Sequence, residues 1–275
     1  MKIFTFNGIK AAYNAFAAVC IVTLIYFGFL NNNTAVAVSG EAVKTTYLAI
    51  IIDDFGNGSD GTKEFMYMDI PFTGAVMPGC PNSGEEARQL LANGKEVIVH
   101  IPMEPNKGSK SWLPQGAVMA DFTPDEARSA AQAAIEQIPG ATGINNHMGS
   151  KVMENKELVL EILTMAKENN LYFVDSLTTG KSKAAEAAKE IGMQIYLRDV
   201  FLDSTKDISK IEKNIKKAGE VAVKENYCIA IGHVGAAGGK VTAQAIKNML
   251  PSLSEKGVKL VTMSELISIM ENNSK

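Results

Sequence analysis

The stretch Ala49-Ile50-Ile51-Ile52-Asp53-Asp54 ends a run of four apolar residues with two adjacent carboxylates. The chain has three histidines, His100, His147 and His233, and each of them also follows a short strand-like run. Apolar runs of this length are typical of strands buried in a parallel sheet. Because the carboxyl ends of parallel strands face one shared crevice, we expect these acids and imidazoles to meet there.

Strand-like runs alternate with helical patterns along the rest of the chain. We predict strands at Tyr47–Ile52, Phe72–Met77, Glu96–Ile101, Thr142–Asn145, Leu171–Asp175, Gln194–Val200, Tyr227–Ile231 and Lys259–Thr262. Helical patterns lie between them at Gly84–Ala92, Pro124–Gln137, Lys156–Asn169, Lys181–Ile191, Asp207–Lys224 and Thr242–Lys256. This alternation predicts parallel βα units, and therefore either a (β/α) barrel or an open doubly wound sheet.

The N-terminus has the pattern of an export segment. Lys2 and Lys10 precede Ala11–Leu30, which contains no charged residue and is long enough to cross a bilayer as one helix. Ala35-Val36-Ala37 resembles a signal-peptidase site, so the segment is either a retained membrane anchor, which we favour, or a cleaved signal peptide. Because the positive charges precede the apolar run, we expect the rest of the chain to be extracytoplasmic.

These features divide the chain into three parts. We predict a signal peptide or membrane anchor at residues 1–31, a linker at residues 32–44 and one domain at residues 45–273. The net charge is −3, and the lysines are spread along the chain rather than clustered. Nucleic-acid-binding proteins need a basic patch, so we expect no nucleic-acid partner.

The residue types at the predicted strand ends point to metal chemistry. Carboxylates and imidazoles together form the ligand set expected for Zn²⁺ or another divalent first-row metal. Such an ion polarises a carbonyl and lowers the pKa of bound water to about 7. A second carboxylate can then serve as general base, and a remaining histidine as general acid. The chain has neither a Gly-x-Ser-x-Gly elbow nor a His-Glu-x-x-His helix, which disfavours a serine hydrolase and a zincin.

Six short motifs, in this order, resemble those of the polysaccharide deacetylases, and more closely their divergent branch of exported bacterial proteins. The motifs are Ile52–Gly56, His100–Pro105, Gly143–Ser150, Phe173–Ser176, Arg198–Asp203 and Ile231–His233. The resemblance covers about residues 45–270. It implies a distorted (β/α) barrel of seven to eight parallel strands, of the glycoside hydrolase/deacetylase type. It also implies metal-dependent removal of acetyl groups from amino sugars.

The resemblance also assigns roles to residues of the site. Asp53 matches the general base, and Asp54 and His100 match metal ligands. The second histidine of the family's usual His-x-x-x-His motif falls on Glu104, which is a departure. His147 stands where the ordinary family has an Arg-Pro-Pro-Tyr segment, so it is the candidate for the missing ligand, with Glu104 as the alternative.

The remaining motifs supply a general acid and pocket candidates. His233 matches the family's general acid, and the backbone amide near Met148 is the candidate for holding the oxyanion. Further candidates for metal or pocket contacts are Asn146, Asp175, Arg198, Asp199 and Asp203, and for the last three a structural salt bridge is the alternative.

The sequence therefore predicts a metal-dependent hydrolase, with Zn²⁺ as the expected ion, that removes acetyl groups from an N- or O-acetylated envelope glycan. The expected partners are this carbohydrate and, through the N-terminal segment, the membrane. The first alternative is a catalytically silent module on the same barrel that binds a glycan or a protein partner. The second is a metal-free glycoside hydrolase that uses Asp53 and Glu104 as its pair of carboxylates.

Overall fold

The computed structural model describes residues 44–109 and 113–273, in which nine parallel strands form one sheet. The strands are β1 (Thr46–Phe55), β2 (Thr73–Val76), β3 (Glu96–Met103), β4 (Gly143–Met148), β5 (Tyr172–Asp175), β6 (Ile195–Leu197), β7 (Val200–Phe201), β8 (Tyr227–His233) and β9 (Val258–Val261). The helices are α1 (Thr62–Met66), α2 (Ser83–Ala92), α3 (Pro124–Glu136), α4 (Lys156–Glu168), α5 (Ala184–Glu190), α6 (Ile208–Glu225), α7 (Lys240–Glu255) and α8 (Met263–Asn273), with a 3₁₀ turn at Val152–Glu154.

The predicted export segment, and the predicted linker except for its last residue, lie outside the described residues. Among the helices that the structure describes, none combines the length and the apolar character needed to span a bilayer.

The sheet curls into an open, distorted barrel. Its strand order is β6-β5-β4-β3-β2-β1-β8-β7, and β9 pairs with the N-terminal half of β1. The two ends of this order, β6 and β7, follow each other along the chain and form no ladder with each other in the described sheet. The predicted barrel of seven to eight parallel strands is therefore confirmed: eight strands follow the curl and β9 adds a short ninth.

One predicted strand, Gln194–Val200, is wrong because the chain crosses the opening of the barrel within it. The amide of Arg198 donates to the carbonyl of Asp175 on β5 at 3.1 Å. The amide of the next residue, Asp199, donates to the carbonyl of Ile229 on β8 at 2.8 Å. Since consecutive residues bond to strands on opposite sides of the opening, the run divides into β6 and β7.

Local sequence explains where the helices begin. α3 starts at a capping box, in which Thr123 Oγ1 accepts from the amide of Glu126 and the Glu126 carboxylate accepts from the amide of Thr123. α6 starts at Asp207, whose Oδ1 accepts from the amide of Ser209 at 3.1 Å. These starts fix the direction in which each helix returns to the sheet.

The interior of the barrel is apolar at its floor and polar at its mouth. Ile51, Ile98 and Ile231 pack in one buried cluster with Met263 and Leu266 of α8, which covers the floor. Side chains two positions apart on a strand point to the same face. Two positions beyond the three isoleucines stand Asp53, His100 and His233. The alternation of side chains along these strands therefore places the isoleucines at the floor and an acid and two imidazoles at the mouth.

Candidate active site

Asp54, His100 and His147 bring three ligand atoms together at the mouth of the barrel. Asp54 Oδ1 lies 2.9 Å from His147 Nδ1 and 3.3 Å from His100 Nε2, and the two imidazole nitrogens are 3.1 Å apart. In a tetrahedral zinc site with bonds of about 2.0–2.1 Å, neighbouring ligand atoms are roughly 3.3–3.4 Å apart. The triangle is therefore close in size to one face of such a site.

The three side chains differ in their access to solvent. The His100 side chain is 2% exposed, whereas those of His147 and Asp54 are 18% and 26% exposed. An ion on this triangle would be held from the interior by His100 and approached from the side of the other two ligands. This arrangement suits a catalytic metal site, which keeps an open position, better than a closed structural one.

Asp54 reaches the cluster because β1 is irregular at its end. In a regular strand the side chains of Asp53 and Asp54 would point to opposite faces. The pairing of β1 with β2 changes register between Ile52 and Phe55, and Asp54 has a φ of +70°. A bulge of this kind rotates the chain, and both carboxylates come within 4.0 Å of His100 Nε2. A non-glycine residue in the left-handed region costs about 1–3 kcal/mol, which surrounding contacts must offset.

The loop after β1 is held by a buried carboxylate. Residues Gly56–Gly61 have the Gly-x-Gly-x-x-Gly spacing that leaves backbone amides free for phosphate in dinucleotide-binding folds. Here Glu86 of α2 occupies two of these amides, accepting from Gly56 N at 2.7 Å and from Gly58 N at 2.5 Å. The following helix, α1, has only five residues. The loop therefore fixes the position of Asp54 instead of cradling a nucleotide.

Replacing Glu86 by alanine is expected to lower the free energy of unfolding by about 2–4 kcal/mol, because two amides lose their buried acceptor. Urea denaturation measures this change. The matched control is Glu85→Ala, since the neighbouring carboxylate bonds to Arg88 and Gln89 on the exposed face of the same helix. Equal urea midpoints for the two variants would show that Glu86 does not hold the loop.

The electrostatics of the cluster suit a cation. Burial by itself would raise the pKa of Asp54, but close contacts with His100 and His147 outweigh burial and lower that pKa. Burial would likewise lower the pKa of His100, but the carboxylates of Asp53 and Asp54 outweigh it and raise the pKa. Asp54 Oδ1 is buried and receives no well-aligned hydrogen bond. A buried acceptor in this state, facing two imidazole nitrogens, fits a metal ligand.

Asp53 is a second carboxylate beside the cluster. Its side chain is buried, and Oδ2 lies 3.7 Å from His100 Nε2. Burial raises the pKa of Asp53, although the charges of His100 and His233 oppose the shift. Asn145 Nδ2 donates to Asp53 Oδ1 at 2.8 Å. A buried carboxylate with an elevated pKa, held next to metal ligands, has the properties of a general base.

His233 stands on the other side of Asp53, since these two residues pair in the ladder between β1 and β8. His233 Nδ1 donates to Asp203 Oδ1 at 2.5 Å. The other oxygen, Asp203 Oδ2, accepts from His233 N at 2.9 Å and from Thr242 Oγ1 at 2.6 Å. Burial would lower the pKa of His233, but the hydrogen bond with Asp203 and nearby carboxylates raise it to about 9. A histidine that stays protonated at neutral pH can act as a general acid.

Glu104, the alternative second ligand, lies outside the cluster. Its Oε1 pairs with Lys151 Nζ at 2.9 Å, and its Oε2 accepts from Ala120 N at 2.9 Å. Within a strand, a residue four positions after His100 would point to the same face as His100. Glu104 does not follow this rule, because β3 ends at Met103. Glu104 therefore joins two loops, and its carboxylate is not part of the metal-ligand triangle.

Asn146, Met148 and Asp175 hold the loops that follow β4 and β5. Asn146 Nδ2 donates to Met148 O at 2.9 Å, and Met148 has a φ of +53°. The buried Asp175 accepts from Leu177 N at 2.8 Å and from Ser182 Oγ at 2.6 Å. These contacts shape the rim of the mouth, and none of the three side chains joins the metal-ligand triangle.

Arg198 and Asp199 bind the crossing segment to the rest of the barrel. Arg198 Nε donates to Ser176 O at 2.8 Å, and the guanidinium carbon lies 3.6 Å from the centroid of Phe201. Asp199 Oδ2 accepts from the amide of Ile229 at 2.8 Å. The Phe201 ring is 5.7 Å from the ring of His233, so Arg198, which stacks on Phe201, borders the mouth of the barrel. Asp199 instead bonds to the backbone of β8.

Asn145 contacts both halves of the site and is not among the residues predicted from the sequence. Asn145 Oδ1 is 2.7 Å from His100 Nδ1, while its Nδ2 reaches Asp53. The side chain is 0% exposed. A polar residue inside a predicted buried strand, two positions before His147, was the available signal.

Comparisons with known proteins agree with this fold. Residues 50–267 match the profile of the divergent polysaccharide deacetylases. Over 221 residues the chain is 34% identical to the uncharacterized protein YibQ of Escherichia coli (strain K12), covering 80% of this chain and 67% of that protein. The uncharacterized protein ATU2773 from Agrobacterium tumefaciens C58 superposes with a TM-score of 0.74 at 18% identity, covering 82% of this chain and 90% of that one.

A more distant structure shares the fold as well. The family 4 carbohydrate esterase from Streptomyces lividans, solved in complex with acetate, superposes with a TM-score of 0.50 at 13% identity. The match covers 78% of this chain and 91% of that one. Because the family profile spans nearly the whole described domain, the chain belongs to the divergent polysaccharide deacetylase family.

Proposed function

We propose that this protein is a metal-dependent deacetylase that removes acetyl groups from an N- or O-acetylated glycan of the cell envelope. The observation that carries the proposal is the meeting of three kinds of group at one mouth: a triangle of metal ligands, a buried carboxylate and a histidine paired with an acid. Hydrolysis of an acetyl group needs all three: an electrophile, a base and an acid.

Asp54, His100 and His147 would hold the ion, and Zn²⁺ is the ion that this ligand set favours. When bound, the ion supplies Lewis-acid polarisation of the acetyl carbonyl and makes water more acidic. Asp53 lies close enough to the ligands to accept the proton of the attacking water. The backbone amide near Met148, where the chain turns with a φ of +53°, is the proposed further donor to the oxyanion.

His233 provides the proton for the leaving amine or alcohol. Its Nδ1 is bonded to Asp203, so the proton of Nε2 is the one available to a substrate. Asp203 keeps this ring oriented and protonated, in the way that a buried carboxylate orients an imidazole in other hydrolases. The acid and the base thus stand on neighbouring strands, β8 and β1, and can act on the two sides of one acetyl group.

The envelope glycan follows from two separate arguments. The family is described as acting on polysaccharides, and the N-terminal pattern of charge followed by an apolar run favours export of the domain. Acetylated glycans outside the cytoplasmic membrane are the substrates that satisfy both.

The purified full-length chain is expected to contain about one zinc ion per molecule and to release acetate from N-acetylchitopentaose or from isolated cell-wall glycan. A chelator should reduce the release by at least about 100-fold, and added zinc should restore it. Elemental analysis and an enzymatic acetate assay measure the two quantities. A chain with neither metal nor acetate release would instead be the catalytically silent binding module, and chelator-insensitive release of sugar would indicate a glycosidase.

A further inference from the structure

We infer that Asn145 is a positioning residue that uses one side-chain amide to orient both the metal ligand His100 and the general base Asp53. The inference rests on the proposed function for the roles of these two partners. The geometry that carries it is the pair of contacts from opposite ends of one amide: Nδ2 to Asp53 Oδ1 at 2.8 Å, and Oδ1 to His100 Nδ1 at 2.7 Å.

The orientation of the amide follows from its partners. As the proposed general base, Asp53 is ionised, and an ionised carboxylate only accepts hydrogen bonds, so the NH₂ group of Asn145 faces Asp53. The carbonyl oxygen then faces His100, and because a carbonyl also only accepts, His100 Nδ1 must carry the hydrogen. This fixes the tautomer in which the lone pair of neutral His100 is on Nε2, the atom that faces Asp54 and His147.

The backbone holds the amide in place. Asn145 on β4 pairs directly with His100 on β3, and both side chains are within 1% of full burial. Water does not compete at this depth, and the ladder leaves Asn145 little freedom to move away from either partner. Groups that hold a metal-bound histidine in this way typically contribute 10- to 100-fold to metal affinity.

Two substitutions separate the two contacts. Asn145→Asp keeps an acceptor for His100 but replaces the amide donor to Asp53 by a second carboxyl group, whereas Asn145→Leu removes both contacts. The exposed Asn248→Asp on α7 is the control for adding a charge. The measurements on the full-length chain are the zinc dissociation constant, by chelator competition, and the turnover number with 4-nitrophenyl acetate.

We expect Asn145→Leu to raise the zinc dissociation constant by about 10- to 100-fold. Asn145→Asp should stay within about 3-fold of the wild-type dissociation constant while its turnover number falls by about 100-fold, since the new carboxyl group shares a proton with Asp53 and makes it a poorer base. Wild-type turnover in Asn145→Asp, or wild-type affinity in a folded Asn145→Leu, would overturn the inference and leave the proposed function standing. If Asn145→Leu does not fold, the turnover number of Asn145→Asp alone tests the inference. A wild-type chain that binds no zinc would overturn both.

Discussion

His100→Ala is expected to raise the zinc dissociation constant by about 10²- to 10³-fold and to reduce acetate release to background. Structural zinc sites with four protein ligands have a binding free energy of about 10–16 kcal/mol at pH 7, so an average ligand accounts for about 2.5–4 kcal/mol. Each 1.4 kcal/mol corresponds to a factor of ten. His100 is also the most buried of the three ligands, and its loss leaves Asp54 facing a cavity.

The matched control for this variant is His233→Ala, which removes an imidazole from the same mouth but no ligand of the triangle. It should retain zinc with wild-type affinity while losing turnover. Chelator competition for zinc and the acetate assay, with thermal unfolding to verify folding, distinguish the two histidines. Stoichiometric zinc together with wild-type acetate release in His100→Ala would rule out the proposed metal site.

Asp203→Asn is expected to lower turnover by about 100-fold at neutral pH and to move the alkaline limb of activity to lower pH. His233 acts as an acid only while it is protonated, so activity is present below its pKa and is lost as the pH rises through it. In the wild type, the bond with Asp203 and nearby carboxylates outweigh burial and raise this pKa to about 9. Without the carboxylate, burial prevails, and the pKa falls.

The measurement is the turnover number between about pH 6 and pH 10, within which a shifted histidine titrates. Zinc affinity should change little, because Asp203 contacts His233 and Thr242 but none of the three ligands. Asp207→Asn is the control for loss of a carboxylate, since Asp207 is an exposed helix cap and asparagine caps equally well. An alkaline limb that stays in place in Asp203→Asn would show that Asp203 does not set the pKa of His233.

Much of the fold and the position of the site could be predicted from the sequence. The apolar runs before Asp53, His100 and His233 are buried on both faces of a parallel sheet, and the fold places all their carboxyl ends at one mouth. The sequence therefore predicts that these side chains lie close together, and the structure brings Asp54, His100 and His147 into one triangle.

What the sequence could not predict depends on register and on irregular backbone. Asn145 bridges two side chains only because β3 and β4 pair with His100 opposite Asn145, and no local pattern fixes that register. The turn of Asp54 toward the mouth needs a bulge at the end of β1. Glu104 stands at the motif position of a second metal ligand, four residues after His100. Because β3 ends at Met103, its carboxylate pairs with Lys151 instead.

The opening of the barrel has a consequence for the behaviour of the protein in concentrated solution. Free sheet edges are templates on which further chains can add and grow into fibrils. Among the described strands the free edges belong to β6, β7 and β9, which have three, two and four residues, and the charged pair Arg198-Asp199 separates β6 from β7. Strands this short offer few backbone groups with which another chain could pair, so the isoleucine- and valine-rich centre of the sheet is protected from edge-to-edge addition.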